Sequence, residues 1–244
     1  MDRCKHFRKE FPAANINPTL LRRVYQLHGI KKKKYRWYKA AKEQDSEKQK
    51  TLLTTMKRQL TKAKNDGYRI VYIDETCFTR KTVADAEWSR PKENMAVDVK
   101  HLEEPTLALL CGISKEKGVE HFRVFEKSVN VEKFQEYIEE LRAANPDDKI
   151  CLFMDNLSAH TSERSKERMR LHGFRWIFNL PYMPIYNPIE LSYSQVKRNF
   201  KTLRARKLMG LIQDSHESLV TQAVQMLKKK DIVSCVSHVN KLLK

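Results

Sequence analysis

The 244-residue sequence has no run approaching the roughly 20 apolar residues that a membrane-spanning helix requires. Its opening residues, Met1-Asp2-Arg3-Cys4-Lys5, lack the apolar stretch of a secretory signal, so a soluble, intracellular protein is expected. There is no CxxC pair. Cys4, Cys77, Cys111, Cys151 and Cys235 are scattered and odd in number, which speaks against a disulfide framework and against a structural zinc site. Cys77, Cys111 and Cys151 lie in strand-like surroundings and read as small buried hydrophobes. Internal repeats and long low-complexity segments are absent as well. The chain is 41% hydrophobic, enough for a core, and long enough for one full-sized domain plus a smaller module.

Charge is abundant and unevenly placed. The formal net charge is +18. Positions 1–64 carry 19 Lys/Arg against 5 Asp/Glu, while positions 65–244 carry 29 against 25. Such asymmetry is the footprint of a polyanion partner, nucleic acid being the usual one; a solvated basic tail is the alternative.

The N-terminal quarter, positions 1–65, reads as basic and helical. Asn17-Pro18 places a capping residue before a proline suited to a first helical turn. Leu20, Leu21, Val24, Tyr25 and Leu27 then supply an apolar face, and Gly29 a stop. With a shorter helix around 3–11 this makes a helix-turn-helix in which 17–28 is the reading helix, and Arg22 and Arg23 are candidate DNA contacts. Lys31, Lys32, Lys33, Lys34 and Arg36, interleaved with Tyr35, Trp37 and Tyr38, suit phosphate neutralisation and stacking; a linker or an import signal has the same composition. A further helix near 46–64 carries Leu52, Leu53, Met56 and Leu60 at helical spacing and is expected to pack onto the next domain.

From Tyr68 onward the texture changes to short β-rich runs. Strands are expected at 69–73, 105–114, 119–125, 150–154 and 174–179, and helices at about 131–144, 161–171, 189–203, 214–229 and 232–243. That order describes an α/β domain with a mixed sheet flanked by helices, preceded by a small basic all-α helix-turn-helix-like region.

Three acids stand at element boundaries. Asp74 ends Arg69-Ile70-Val71-Tyr72-Ile73, Asp155 ends Ile150-Cys151-Leu152-Phe153-Met154, and Glu190 opens the helix after Pro181–Ile189. Ends of neighbouring strands form a rim where ligands bind, and clustered carboxylates repel one another unless cations intervene. Hard oxygen donors suit Mg²⁺ or Mn²⁺. Singly, Asp74 and Asp155 also read as turn formers, and Glu190 sits three residues after Asn187, the spacing of a capping box. The spacing alone supports a candidate metal site and nothing narrower.

Tyr72-Ile73-Asp74-Glu75-Thr76, Phe153-Met154-Asp155-Asn156-Leu157-Ser158-Ala159-His160 and Leu180-Pro181-Tyr182-Met183-Pro184-Ile185-Tyr186-Asn187-Pro188-Ile189-Glu190 carry a resemblance. Positions 69–206 resemble the catalytic domain of mariner-superfamily transposases and their bacterial insertion-sequence relatives, and the interval from Asp155 to Glu190 matches a spacing used there. The resemblance implies an RNase H-like fold with Asp74, Asp155 and Glu190 as the DDE catalytic and metal-holding triad. It also implies two Mg²⁺ (or Mn²⁺) ions per site, double-stranded DNA partners (transposon ends and target DNA), a homodimer and, in a eukaryote, a nuclear location. The reaction implied is metal-dependent cleavage at transposon ends and strand transfer into target DNA.

His160 is a candidate auxiliary residue, touching the scissile phosphate or orienting Asp155, with a plain helix-start histidine as the alternative; Trp88 reads first as a packed tryptophan and second as a subunit or DNA contact. Lys197, Arg198 and Lys201, with Arg204 and Arg206, suit phosphate contact from the helix after Glu190. Glu75 is not expected to be a ligand. Members of the resembled family carry two helix-turn-helix units where this chain has room for one. The organisation expected is therefore a partial helix-turn-helix region with basic linker (1–40), a linker helix (41–66), the catalytic domain (67–210) and C-terminal helices (211–244). The competing expectations are a domesticated or truncated transposase that binds DNA without cutting it, and another RNase H-like nuclease.

Overall fold

The computed structural model describes residues 9–13, 17–30, 46–79, 82 and 104–243. The chain divides into two units, Met1–Asp45 and Ser46–Lys244.

In the first unit, helix α1 spans Pro18–Leu27, and the Asn17 side chain accepts from the Leu20 amide at 2.8 Å, as its capping position requires. Its apolar face is narrower than the sequence suggests. Leu21 is buried, but Leu20 and Leu27 are exposed, because they flank the stripe that Leu21 centres. The shorter helix expected before it falls mostly outside the described residues.

The second unit opens with α2 (Ser46–Asn65), then β1 (Arg69–Phe78), β2 (Leu107–Ser114), β3 (Gly118–Glu126), α3 (Val131–Ala143), β4 (Ile150–Met154), a single turn α4 (Ser158–Thr161), α5 (Glu163–Leu171) and β5 (Arg175–Phe178). A 3₁₀ turn (Pro184–Tyr186) precedes α6 (Ile189–Leu208), α7 (His216–Gln225) and α8 (Lys229–Leu242). The strands form one mixed sheet in the order β3-β2-β1-β4-β5. The β1–β2 and β2–β3 pairs are antiparallel; β1–β4 and β4–β5 are parallel.

Strand periodicity sorts the core onto two faces. Ile70, Tyr72, Cys111, Cys151 and Phe153 point to a layer built from Met56 and Leu60 of α2, Tyr193, Val196 and Phe200 of α6, and the C-terminal helices. Val71, Ile73, Leu110, Leu152 and Met154 point the other way, onto Phe134, Tyr137, Ile138 and Leu141 of α3 and Met169 of α5. Burial on both faces explains why β4 is apolar at every position. In α2 only part of the expected apolar set is used: Met56 and Leu60 are buried, joined by Ala63, and Leu52 is exposed. The helices start where their caps dictate, with Asn130, Ser162 and Ser215 each accepting from the amide three residues on.

Gly112 of β2 lets α3 come close. A Cβ there would stand 2.6 Å from the Tyr137 hydroxyl, so any other residue would force the buried Tyr137 side chain to move. Cys111 and Cys151 are buried as expected, whereas Cys77 is exposed near the end of β1.

Candidate active site

β1 runs further than the sequence indicates, and this positions the site. Its parallel register with β4 ends at Tyr72–Phe153, but its antiparallel register with β2 continues to Phe78–Leu107. Asp74 therefore lies within a strand, opposite Cys111, rather than terminating one. β4 has stopped by then, which leaves the β4 side of β1 unpaired beside Asp74. By alternation Asp74 shares the face of Tyr72, the one covered by α6.

Asp155 is the first residue after β4, and Glu190 is the second residue of α6. Asp74 is buried at 8% exposure, Asp155 half-buried and Glu190 exposed. Asp74 lies within electrostatic reach of both Glu190 and, more weakly, Asp155. Burial, then the nearby Glu190 carboxylate, push Asp74 up to about 8; the Glu75 amide, donating to Asp74 Oδ1 at 2.8 Å, opposes this. A buried acid that keeps its proton beside another carboxylate is a place where a cation can take the proton's role.

Asp155 is held differently. Its Oδ1 accepts from the Leu157 amide (3.2 Å) and from His160 Nδ1 (2.8 Å). Partial burial would raise its pKa, but the bond and charge of His160 outweigh that and hold it below the usual carboxylate range. His160 is fully buried, with Nε2 3.5 Å from Glu75 Oε1 and its ring 4.6 Å from that of Phe134. Burial would depress the imidazole, but the two flanking carboxylates lift it to about 9, so it is charged at neutral pH.

Among the described residues no three acidic, histidine or cysteine groups are gathered closely enough to form a ready-made metal cage. Asp74 feels the Glu190 carboxylate, and His160 holds Asp155 through Oδ1. The donor set nonetheless fits a hard divalent ion: oxygen donors only, one of them unable to shed its proton easily without a compensating positive charge.

The capping box that the Asn187–Glu190 spacing also allowed is not formed. Pro188 caps α6 without a side-chain bond, and Asn187 Nδ2 instead donates to the Ile73 carbonyl at 3.2 Å, 114 positions away. Asparagines stitch the rest of this rim together. Asn156 Nδ2 donates to the Asn179 carbonyl (2.6 Å), the Asn179 amide to the Met154 carbonyl (2.7 Å), and Asn179 Nδ2 to the Met183 carbonyl (2.8 Å). The Tyr193 hydroxyl donates to the Asp74 carbonyl. Sequence reasoning does not single out Asn156, Asn179 or Tyr193 for these roles. The available signal for Asn156 is its place beside Asp155 in the family-like motif.

Of the candidate DNA contacts, Arg22 and Arg23 are exposed on α1, Arg198 is exposed on α6, and Lys197 and Lys201 are half-exposed beside it. Arg206 is exposed too, but Arg204 is buried at 1% and unavailable to phosphate. It lies one turn after Phe200 on the inward stripe of α6, donates to the Thr79 and Thr82 carbonyls, and pairs with Glu104. Lys31, Lys32, Lys33, Lys34, Arg36 and Trp88 lie outside the described residues.

A sequence profile of the DDE superfamily endonucleases matches residues 69–212. No curated protein matches the chain. Among solved structures, the mariner Mos1 paired-end complex with Mg superposes with a TM-score of 0.59 at 15% identity, over 98% of this chain and 74% of that one. The Mos1 paired-end complex with Mn gives 0.52 at 15% identity, over 98% and 75%. The Mos1 transposase catalytic domain with raltegravir and Mg gives 0.51 at 14%, over 79% and 89%. At such identities the likeness establishes the fold, RNase H-like as expected, and the matched profile establishes the family. The chain belongs to the DDE superfamily endonucleases, on the fold of a mariner-type DDE transposase.

Proposed function

We propose that Asp74, Asp155 and Glu190 are the catalytic and metal-holding residues with which this endonuclease cuts transposon-end DNA and joins the freed strand to target DNA. The observation that carries the assignment is that Asp74 lies within electrostatic reach of both Glu190 and Asp155, three groups far apart in sequence and on different elements.

Two Mg²⁺ or Mn²⁺ ions would supply an activated water or 3′-hydroxyl and stabilise the departing 3′-oxygen in an in-line displacement at phosphorus. The protein's part follows from its own residues. Asp74 and Glu190 would hold a cation, whose charge would replace the proton that burial keeps on Asp74. Asp155, held as a carboxylate by its bond to His160, would bind a cation without a deprotonation cost. Lys197, Arg198 and Lys201 extend from Glu190 along α6 as a positive track for the phosphate backbone. Joining two transposon ends requires two such sites, hence a homodimer.

The test is nicking of a duplex carrying the ends of the element in Mg²⁺ or Mn²⁺. Asp155→Asn should abolish cleavage and leave duplex binding in EDTA unchanged. Wild-type cutting by that variant would refute the assignment.

A further inference from the structure

His160 is a costly choice for its position. A fully buried imidazole loses its hydration, and an apolar side chain would pack against Phe134 without that cost. Its two ring nitrogens account for its presence, because they address opposite sides. Nδ1 is 2.8 Å from Asp155 Oδ1, and Nε2 faces Glu75 Oε1 at 3.5 Å, an ion-pair separation. Glu75 follows Asp74 on β1 and points to the α3 face, away from Glu190. The turn that carries His160 is itself fixed, with Ser165 Oγ donating to the Ala159 carbonyl at 2.6 Å.

We propose that His160, braced by Glu75, is a positioning residue that ties Asp155 to β1 next to Asp74 and sets the affinity of the site for divalent cations. This rests on the reading of Asp155 as a metal-holding residue. Both bonds to Asp155 fall on Oδ1, which leaves Oδ2 to face a cation. The carboxylate is thereby fixed in orientation before metal arrives, and the bridge spans the two strands that carry Asp74 and Asp155. Glu75 is a brace and not a ligand.

The test is a Mn²⁺ titration of the full chain, with free Mn²⁺ read by EPR and folding checked by circular dichroism. His160→Ala should raise half-saturating Mn²⁺ by about 10–100-fold, the usual effect of losing a partner behind a metal ligand. His160→Asn, which keeps a donor near the place of Nδ1, should recover much of that loss, and Glu75→Gln should give a smaller rise. If His160→Ala does not fold, Glu75→Gln decides: wild-type Mn²⁺ affinity in that variant overturns the brace. A folded His160→Ala with wild-type affinity overturns the proposal outright. Asp155→Asn separates the two levels. If it loses Mn²⁺ while His160→Ala keeps it, only the positioning role falls; if it binds as wild type does, the site assignment falls and the positioning role with it.

Discussion

Tyr193 and Asp74 join α6 to β1: the buried tyrosine hydroxyl donates to the aspartate's own backbone carbonyl, 119 positions away. Tyr193 is one turn after Glu190, and residues so spaced share a helix face. The bond therefore fixes the height and rotation at which Glu190 meets the Asp74 side chain. Removing the hydroxyl in Tyr193→Phe should cost about 1–3 kcal/mol, the usual cost of an unmade buried hydrogen bond, read as a lower urea midpoint. Cleavage should fall while duplex binding in EDTA stays unchanged. A variant as stable and as active as wild type would show that the bond has no part in aligning the pair.

The raised pKa of Asp74 predicts a pH dependence of stability with a defined sign. Its value in the unfolded chain is about 4, and in the folded chain burial and Glu190 bring it to about 8. Between these values the folded state binds the extra proton, so this group's contribution to stability is lost as pH rises through the window. Asp74→Asn removes the dependence, so its melting temperature relative to wild type should climb from pH 5 to pH 8.5 in metal-free buffer. His160, lifted to about 9 from about 6.5, adds a loss between those values in both proteins and cancels in the comparison. A constant difference between the two proteins would contradict the burial of Asp74 as a protonated acid.

Tyr182 adopts φ 60° on the loop before Glu190 while remaining 87% exposed. The left-handed region costs an L-residue about 1–2 kcal/mol, and little packing offsets it here. Tyr182→Gly relieves the clash at some entropic cost, for a net gain of about 0.5–1 kcal/mol. Thermal unfolding should therefore shift upward by about 1–4 °C. An unchanged or lower midpoint would mean that the tyrosine makes interactions the glycine cannot replace.

The basic face of α6 predicts a salt effect. Alanine at Lys197, Arg198 or Lys201 should weaken binding to any duplex and reduce the slope of log K against log salt by about 1 for each phosphate no longer neutralised. Alanine at Arg204 should leave that slope alone and instead unfold the protein more readily, because its guanidinium is buried against Thr79, Thr82 and Glu104. Measured slopes that do not separate these residues would contradict the division of α6 into an outward and an inward face.

The two central strands and the helix bearing Glu190 were legible because each apolar run ends against an acid or a proline, and a buried parallel strand such as 150–154 tolerates little else. The position of Asp74 within β1 was not legible. An acid after a run of β-formers reads as a terminus, and only pairing with β2, a strand that begins as late as Leu107, continues β1 to Phe78. Asn187 misleads for a similar reason: its spacing to Glu190 satisfies a local rule, but its amide is used by a carbonyl far away in sequence. Arg204 carried a usable signal, since it follows Phe200 by one turn on the buried stripe of α6. The His160–Glu75 pairing joins groups from separate elements and had none.

The central claim is that Asp74, Asp155 and Glu190 serve one metal centre. Its most direct test replaces Mg²⁺ with Fe²⁺ in the presence of ascorbate and peroxide, so that radicals generated at the bound ion cut the polypeptide nearby. The account predicts backbone scission clustered close to positions 74, 155 and 190 together, suppressed by excess Mg²⁺ and lost in Asp155→Asn. Scission confined to one of the three, or unaffected by Mg²⁺ and by that substitution, would contradict it.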